Sequence, residues 1–595
     1  MNKSRRVDID TLRGLSVISV IIYHLDSSLF PYGYLGVDIF FVISGYLITN
    51  LIINNHKLQK FKFTEFYLKR IKRILPVLLT VLLFSFFFAI IILLTNDLKR
   101  YSESLLTSLS FVSNIYFWIT GGYFSTNDQL KPLLHLWSLS VEEQFYLFFP
   151  LFLYIVFKNF KNLNFKILII LLFIILSYSL NLFFIIKGNY NSVFFLFPAR
   201  IWQFGIGSIF AFFPNLKIKN VLIDTIYLFF ALSLIFFNFY FQPISLPSGS
   251  LMCLGVSLIL YKSINHSNFF SNIFKIQPLI FIGLISYSLY LWHWPIISFL
   301  KYIYIDELTF KLMALSVFTI SVLSILSWKF IEQPFLYKYS NKKVLLFDLI
   351  SYIILIISSL IILYSKNLPS RYAKLPNQIA NAVDSNYRCL MNFEKIIRFG
   401  DGYACYINNK VESPAQSILY GNSHALMYGW AYKDNLIFNN QKGITAGLSR
   451  GCLPYIDVNL SSKCLKKAKL FYNSIINSKD IKNVIIGLTW YSNELVDEQN
   501  KTYVDDDFKI RRKSINFLID SFKNNNKNVY LIGPIEIPGI DFPSKFSREI
   551  IFKKTKNIQL FKTRDDFNKK YLEEIEFFED KLINNFIQPH KELCD

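Results

Sequence analysis

Charged residues are scarce in this 595-residue chain, and acidic residues are the scarcer kind. Asp, Glu, Lys and Arg together make up 17% of the sequence, against roughly 25% in typical soluble domains, while apolar residues make up 53%. This balance excludes a wholly soluble protein. The six cysteines form no zinc-type set and no arginine-rich recognition helix is visible, so we predict no metal and no nucleic-acid partner. The net charge of +22 instead indicates basic loops on the inner side of a membrane lipid bilayer.

The apolar residues are concentrated before residue 365, and the chain after it is polar and rich in Asn, Lys and Asp. A membrane helix needs about 20 mostly apolar residues. Ten runs satisfy this need, near 10–27, 35–53, 75–95, 143–157, 167–186, 193–213, 221–239, 247–262, 279–299 and 310–331, and an eleventh lies near 344–365. The more polar stretch 101–120 is predicted as re-entrant or interfacial. The sequence therefore predicts a polytopic α-helical membrane bundle of about ten spans, with an eleventh linking span.

Basic residues orient these spans, because short cytoplasmic loops carry an excess of Lys and Arg. The N-terminal segment and the loop after the second span are strongly basic, whereas the loop 28–34 holds neither Lys nor Arg. We expect a multi-pass inner-membrane protein without a cleavable signal peptide, with a cytoplasmic N-terminus and a periplasmic C-terminal domain. Disulfides persist in such an oxidising compartment. We predict the pairs Cys389 with Cys405 and Cys452 with Cys464, which leaves Cys594 odd.

His24, Arg13 and Asp38 are ionisable residues within the first two apolar runs, where a charge is costly and often functional. His24 is near the outer end of the first run. A neutral imidazole can take a proton from a hydroxyl and release it near neutral pH, or it can satisfy a neighbour at the interface. Arg13, near the inner end, either anchors the helix or contacts a phosphate. Asp38 in the second run needs a partner.

Further polar residues flank the later spans. Arg70 and Arg73 lie three apart in FYLKRIKRILP, on one helical face, and suit either a polyphosphate or ordinary positive-inside anchoring. The segment 132–150 concentrates polar and aromatic side chains beside an apolar run, namely His135, Trp137, Ser138, Glu142, Glu143 and Gln144. His293 stands between two tryptophans in SYSLYLWHWPI, and an interfacial aromatic belt explains the tryptophans better than the histidine.

These motifs resemble the membrane acyltransferase-3 family over about residues 7–335. They read DIDTLRGLSV with YH, GYLGVDIFFVISGYLIT, FYLKRIKRILP, PLLHLWSLSVEEQFYLFFP, ISYSLYLWHWPI and SWKFIEQP. The resemblance implies a cytoplasmic acyl-CoA donor, typically acetyl-CoA, and an extracytoplasmic or lipid-linked glycan acceptor. It implies a catalytic base at His24 and an acyl-CoA contact at Arg70 and Arg73. Arg13 is the matching arginine of span 1, and the motif glutamates fall on Glu142 and Glu143.

The polar C-terminal part contains a strand, a turn that presents Ser423 and a predicted helix, in the sequence SPAQSILYGNSHALMYGWA. A serine at such a turn can act as a nucleophile beside helix-terminal amides. Further strand-like runs at 483–490 and 528–538 predict an α/β three-layer domain.

This region resembles the SGNH domain that is fused to many of these acyltransferases, with matches at Gly421, Ser423 and His424. Asn422 stands where an Asp is usual. The family's Asp-x-x-His block is absent, since Ile587 lies three residues before His590, and we expect a C-terminus truncated relative to relatives. A serine without its base is a poor nucleophile. The resemblance therefore favours a glycan-binding, acceptor-handing or decayed domain over an independent hydrolase.

We accordingly predict an O-acyltransferase, most simply an O-acetyltransferase, that moves an acyl group across the membrane onto a surface glycan such as O-antigen, capsule or peptidoglycan. The domains are predicted as a membrane domain at 1–340, a linking helix at 341–366, a linker at 367–413 and an SGNH-like domain at 414–595. A longer acyl donor such as succinyl-CoA stays open. Alternatives are a transporter or flippase, which lacks visible inverted repeats, and a non-enzymatic membrane scaffold.

Overall fold

The structure is a computed structural model, and it divides into two compact units, Met1–Leu375 with Ser544–Lys554, and Pro376–Pro543 with Thr555–Asp595. The residues described are 6–57, 62–121, 128–160, 162–214, 216–241, 247–262, 269–304, 308–365, 396–399, 402–448, 452–490, 494–499, 501–504, 508–534, 548, 551–552 and 564–589.

The first unit is helical. Its helices are α1 (Val7–Leu25), α2 (Gly36–Lys57), α3 (Phe63–Ile92), α4 (Thr95–Leu109), α5 (Ser113–Thr120), α6 (Leu136–Asn159), α7 (Leu163–Ile186), α8 (Tyr190–Phe195), α9 (Phe197–Phe210), α10 (Val221–Tyr240), α11 (Ser250–Tyr261), α12 (Phe269–Ile273), α13 (Gln277–Leu284), α14 (Ser286–Ile303), α15 (Phe310–Ser327), α16 (Gln333–Tyr337) and α17 (Asn341–Tyr364). A π-helical turn, Trp328–Glu332, separates α15 from α16.

Among the described residues, seven helices are long and apolar enough to cross a membrane, and they coincide with seven of the eleven predicted spans. They are α2, α3, α6, α7, α10, α15 with its continuation, and α17. An eighth candidate is the pair α13 and α14, which is bent by 72° within the predicted span 279–299. The remaining predicted spans correspond to the charged α1, the broken pair α8 and α9, and the short α11. The helical membrane character is thus supported, while the count of eleven stays a prediction.

Helices α2 and α9 approach each other backbone to backbone. A Cβ atom on Gly45 would lie 1.9 Å from the carbonyl oxygen of Phe204, and one on Gly207 would lie 2.0 Å from that of Val42. The Ser208 hydroxyl donates across the same interface to the carbonyl of Gly45 at 3.2 Å. Small residues at a helix crossing permit this approach within a membrane.

The second unit is built on a seven-stranded mixed sheet with the order β1-β2-β4-β3-β5-β8-β9. Its strands are β1 (Ile396–Phe399), β2 (Gly402–Ile407), β3 (Ser417–Gly421), β4 (Gly443–Gly447), β5 (Asn483–Gly487), β8 (Asn528–Ile532) and β9 (Phe586–Ile587), and β6 (Glu494–Val496) pairs separately with β7 (Thr502–Val504). Strands β4, β3, β5, β8 and β9 are parallel, whereas β2 and β1 extend the edge in antiparallel fashion. Strands β1 and β2 lie within 367–413, the range predicted as a linker.

Helices cover both faces of this sheet. They are α18 (Ser423–Met427), α19 (Gly429–Phe438), α20 (Ser462–Ile476), α21 (Lys509–Asn524) and α22 (Arg564–Leu582). Alternate residues of β3 enter different cores: Tyr420 packs in the cluster that includes residues of α20, α21 and α22, whereas Leu419 packs with residues of α18 and α19. This alternation follows from the two-residue period of a strand, and it gives the predicted three-layer α/β arrangement.

One predicted disulfide is present, between Cys452 and Cys464. Cys405 is also disulfide-bonded. Its predicted partner Cys389 and the predicted odd cysteine Cys594 lie outside the described residues. Among the residues described, no group of His, Cys, Asp and Glu is arranged to hold a metal ion.

Candidate functional site

An open cavity in the helical unit is lined by three arginines that lie far apart in sequence. Arg13 comes from α1, and Arg70 and Arg73 come from the first turns of α3. The volume of the cavity, counted together with the open solvent at its mouth, is about 820 Å³. Its wall also carries Phe40, Phe41, Leu47, Ile74 and Leu139, so cationic and apolar surfaces face the same space. The structure thus brings together the residues predicted to contact acyl-CoA.

A carboxylate and a tyrosine stand among these cations. Glu142 lines the cavity and accepts hydrogen bonds from the hydroxyls of Ser44 and Tyr146. The guanidinium of Arg70 lies over the ring of Tyr146, 4.4 Å from its centroid. Glu142 is therefore held firmly by two donors. The adjacent Glu143 does not line the cavity, and its buried Oε1 atom has no hydrogen-bond partner among the described residues.

A second carboxylate lies near the arginines but does not line the cavity. Glu332, which is 5% exposed, ends the π-helical turn and interacts electrostatically with Arg13 and Arg73. The hydroxyl of Ser288 donates to its Oε2 atom at 3.0 Å. π-helical turns occur frequently at functional sites. The motif SWKFIEQP was identified from the sequence, but Glu332 within it was not singled out, and the available signal was a carboxylate at the end of a long apolar run.

Tyr290 connects the cavity with a buried group of histidines. Its side chain lines the cavity, where its hydroxyl lies 2.5 Å from the hydroxyl of Ser138. The same hydroxyl donates to the backbone carbonyl of His135 at 2.9 Å. The ring centroid of Tyr290 lies 5.2 Å from that of His293. The predicted residues Ser138, His135 and His293 are therefore neighbours around one tyrosine that the sequence did not single out.

His24 lies at the far end of this group. Its ring centroid is 5.6 Å from that of His293 and 4.4 Å from that of Trp294. The rings of His135 and His293 are also 5.6 Å apart. All three histidines are buried. Eleven helical steps separate His24 from Arg13 on α1, which corresponds to about 16 Å along the axis.

Asp38 has the partner that its burial required. The guanidinium of Arg200 on α9 lies 3.0 Å from its carboxylate, and both side chains are buried. Arg200 also lies over the ring of Trp137, 5.4 Å from the centroid. Asp38 and Trp137 do not line the arginine cavity, so they form a separate cluster. Arg200 was missed by sequence reasoning, although an arginine in the apolar stretch FFLFPARIW was a visible signal.

In the α/β unit, Gly421 ends β3 and Ser423 begins α18. Between them, Asn422 is fully buried. Its Oδ1 atom accepts a hydrogen bond from the backbone N–H of His424 at 3.0 Å, and its Nδ2 atom donates to the hydroxyl of Thr489 at 2.7 Å. Burial lowers the pKa of His424, which favours the neutral ring. The predicted strand–turn–helix is therefore present. The side chain of Ser423 and all of His590 lie outside what the structure describes.

Comparisons with known proteins match both units. The acyltransferase domain family matches residues 6–331, and the SGNH domain found fused to such domains matches residues 388–595. O-acetyltransferase OatA of Staphylococcus aureus, in strains NCTC 8325 / PS 47 and COL, is 33% identical over 345 residues. A further protein of strain COL, named only provisionally as an O-acetyltransferase, is 34% identical over 343 residues.

These alignments cover 55% of this chain and 56% of each relative, so the chain matches about half the length of the curated relatives. No solved structure matches the chain. The family match covers more than half of the chain and includes the arginine cavity and the buried histidines. The chain belongs to the acyltransferase-3 family, and its membrane domain is followed by an SGNH domain.

Proposed function

We propose that this protein is an O-acyltransferase that transfers an acetyl group from cytoplasmic acetyl-CoA to a hydroxyl of a cell-surface glycan or of its lipid-linked precursor. One observation carries the proposal. Tyr290 belongs to the wall of the arginine cavity and also lies beside His293, which in turn lies beside His24. A donor site and a candidate base are therefore joined by contiguous side chains through the interior of the helical unit.

The cavity suits the donor in charge and in shape. Guanidinium groups bind phosphates through paired hydrogen bonds, so Arg13, Arg70 and Arg73 would hold the phosphates of the nucleotide part. The apolar side chains on the same wall suit a narrow, largely uncharged arm that reaches inward. When bound, acetyl-CoA supplies the activated acyl group.

His24 is the proposed general base. A neutral imidazole accepts a proton from the attacking hydroxyl and later releases it. The neighbouring His293 has its Nδ1 atom 2.5 Å from the carbonyl oxygen of Tyr290, and in the neutral ring this contact places the proton on Nδ1. The Nε2 atom of His293 then presents a lone pair inside the same buried group. Glu142 and Glu143 would balance the charge of the arginines nearby.

The orientation of the protein follows from the same proposal. The N-terminus and the arginine cavity would face the cytoplasm, and the SGNH unit would lie outside the cytoplasmic membrane. The disulfide between Cys452 and Cys464 supports an oxidising location for that unit. The positive-inside pattern of the loops supports the same orientation.

We propose that the SGNH unit binds or presents the glycan instead of performing the transfer. Both polar atoms of the Asn422 side chain are already used, one on the backbone of His424 and one on Thr489. The variant Ser423→Ala tests this assignment in the full-length protein. Retention of most of the glycan acetylation is expected, and loss to background would show that the serine is required for the transfer.

The central test replaces His24 with alanine in cells that lack the chromosomal gene. Ester-linked acetate is released from the surface glycan by alkali and measured, together with the total amount of glycan. Acetate is expected to fall to the level of the deletion strain while the amount of glycan stays constant. Full acetylation by His24→Ala would refute the assignment of the base. A change in the amount of glycan without a change in its acetylation would favour a transporter.

Membrane abundance provides the control. The variant His24→Ala should insert and accumulate like the unmodified protein, which immunoblotting of membrane fractions measures. The variant Lys311→Gln serves as a control substitution, because Lys311 is an exposed residue of α15 in the same unit and does not line the arginine cavity. It should keep normal acetylation.

A further inference from the structure

Three tyrosines form a row that ends at His24. Tyr32 lies 6.3 Å from Tyr34, Tyr34 lies 5.3 Å from Tyr23, and Tyr23 lies 5.0 Å from His24, all measured between ring centroids. Each of the four rings meets the next edge to face, at angles between 60° and 64°. We call Tyr23, Tyr32 and Tyr34 the tyrosine row. It leads from the segment between α1 and α2 directly to the candidate base.

The rings of the tyrosine row are partly exposed, whereas His24 at its end is buried. Two contacts hold Tyr34 in place. Its ring lies 6.2 Å from that of the buried Phe194, and its hydroxyl interacts with Ser248. The backbone N–H of Tyr32 donates to the carbonyl of Phe239 at 3.1 Å. Tyr32 and Tyr34 pack against the hydrophobic core of the unit, and each of the three tyrosines stays partly exposed. The row is therefore a supported surface, and little ordering is needed before a ligand binds.

This arrangement suits a sugar ring. One side of a pyranose presents C–H groups that can pack on an aromatic face, while its hydroxyls need polar partners at the rim. Tyrosine supplies an apolar body and a hydroxyl tip with few rotatable bonds. No positive side chain occurs between residues 26 and 34. The cations nearest the row are already engaged, since Arg200 near Tyr34 pairs with Asp38 and Lys301 near His24 donates to Gln129.

We propose that the tyrosine row is the acceptor subsite, which holds a sugar ring of the glycan so that a hydroxyl reaches His24. This inference rests on the proposed function. The alternative is an interfacial aromatic belt, in which tyrosines anchor the protein at the membrane surface. Tyr240 is a matched control, because it is 49% exposed and its ring lies 5.6 Å from Phe30 in the same inter-helix segment, yet it makes no ring contact with His24.

The test uses full-length protein in lipid nanodiscs with acetyl-CoA and the alkali-deacetylated surface glycan of a strain that lacks the gene. The Michaelis constants for glycan and for acetyl-CoA are measured separately. Tyr34→Leu removes the aromatic face but retains apolar volume, and it should raise KM for the glycan about ten-fold while KM for acetyl-CoA stays the same. Tyr34→Phe keeps the aromatic face and loses only the hydroxyl, so it should raise KM for the glycan less than Tyr34→Leu does.

Tyr240→Leu should leave both constants unchanged. An unchanged glycan KM in Tyr34→Leu would overturn the subsite, as would an equal rise in Tyr240→Leu or in the KM for acetyl-CoA. If the unmodified protein transfers no acetyl group from acetyl-CoA to the glycan, the proposed function itself fails. The two failures are therefore distinguishable, and folding of each variant is checked by its elution as a single peak from size-exclusion chromatography.

Discussion

Arg200 and Asp38 form an ion pair inside the helical unit, at 3.0 Å, with side-chain exposures of 4% and 2%. The N–H at Nε of Arg200 also donates to the carbonyl of Phe194 at 3.0 Å. Removal of one partner would leave an uncompensated buried charge, which costs about 3 kcal/mol or more. We therefore expect Arg200→Met to lower the thermal midpoint of the protein in detergent, measured by the loss of the monomeric peak after heating.

The double variant Asp38→Leu with Arg200→Met should recover much of this loss, because it removes both charges together. Equal thermal midpoints for the single and the double variant would contradict this account of the pair. Since neither residue lines the arginine cavity, acetyl-CoA binding by the folded double variant should be unchanged.

Gly249 provides a second test of the same cluster. Its φ is +81°, and a Cβ atom there would lie 2.0 Å from Oδ2 of Asp38. Gly249→Ala should therefore displace the carboxylate as well as strain the backbone, and it should lower the thermal midpoint. Gly188→Ala is the matched control, because Gly188 has a φ of +68° but a Cβ atom there would meet nothing within 4 Å. Only the backbone cost of about 1 kcal/mol is expected there. Equal effects would show that the contact with Asp38 is unimportant.

Glu332 should affect how tightly the protein binds the nucleotide part of the donor. Its carboxylate stands near Arg13 and Arg73 but does not line the cavity, so we expect it to orient the two guanidiniums. Glu332→Gln should raise KM for acetyl-CoA about ten-fold, since a charge-assisted contact is worth about 1.5 kcal/mol. The short donor acetyl-pantetheine lacks the nucleotide, and its turnover should be the same in variant and unmodified protein. Equal impairment with both donors would refute a role through the phosphates.

Tyr290→Phe tests the connection between the cavity and the histidines. The hydroxyl of Tyr290 lies 2.5 Å from that of Ser138 and donates to the backbone carbonyl of His135. The contact with His293 is made by the ring of Tyr290 and not by its hydroxyl. Loss of the hydroxyl should lower kcat for glycan acetylation about ten-fold, while KM for acetyl-CoA changes little. Ser138→Ala should have the same direction and a smaller effect, because Tyr290 keeps its bond to His135. An unchanged kcat in Tyr290→Phe would show that this hydroxyl has no part in the transfer.

Sequence patterns predicted the local features of the site better than its pairings. Arg70 and Arg73 were predicted on one helical face, and they line one cavity with Arg13. The partner of Asp38 was not predicted, because the sequence separation of 162 between Asp38 and Arg200 places no limit on which helices pack together. The roles of His24, Glu142 and Glu143 stay predictions.

Backbone irregularities were also invisible in the sequence. Hydropathy treats 279–299 as one apolar run, yet the helix direction changes by 72° between α13 and α14. The π-helical turn that positions Glu332 continues directly from α15, and nothing in its composition predicts a change from α-helical to π-helical hydrogen bonding. In the α/β unit, the short strands β1 and β2 were not predicted, because they precede the more regular alternation of strands and helices.

The close crossing of α2 and α9 has a mechanical consequence. The backbones of α2 and α9 touch at Gly45 and Gly207, so neither helix can slide or tilt past the other without a steric clash. We therefore expect the two helices to move together as one rigid body. The same argument applies to α1 and α13, because a Cβ atom on Gly283 would lie 1.7 Å from the carbonyl oxygen of Asp10. Two pairs of helices in this unit, α2 with α9 and α1 with α13, therefore resist sliding past one another.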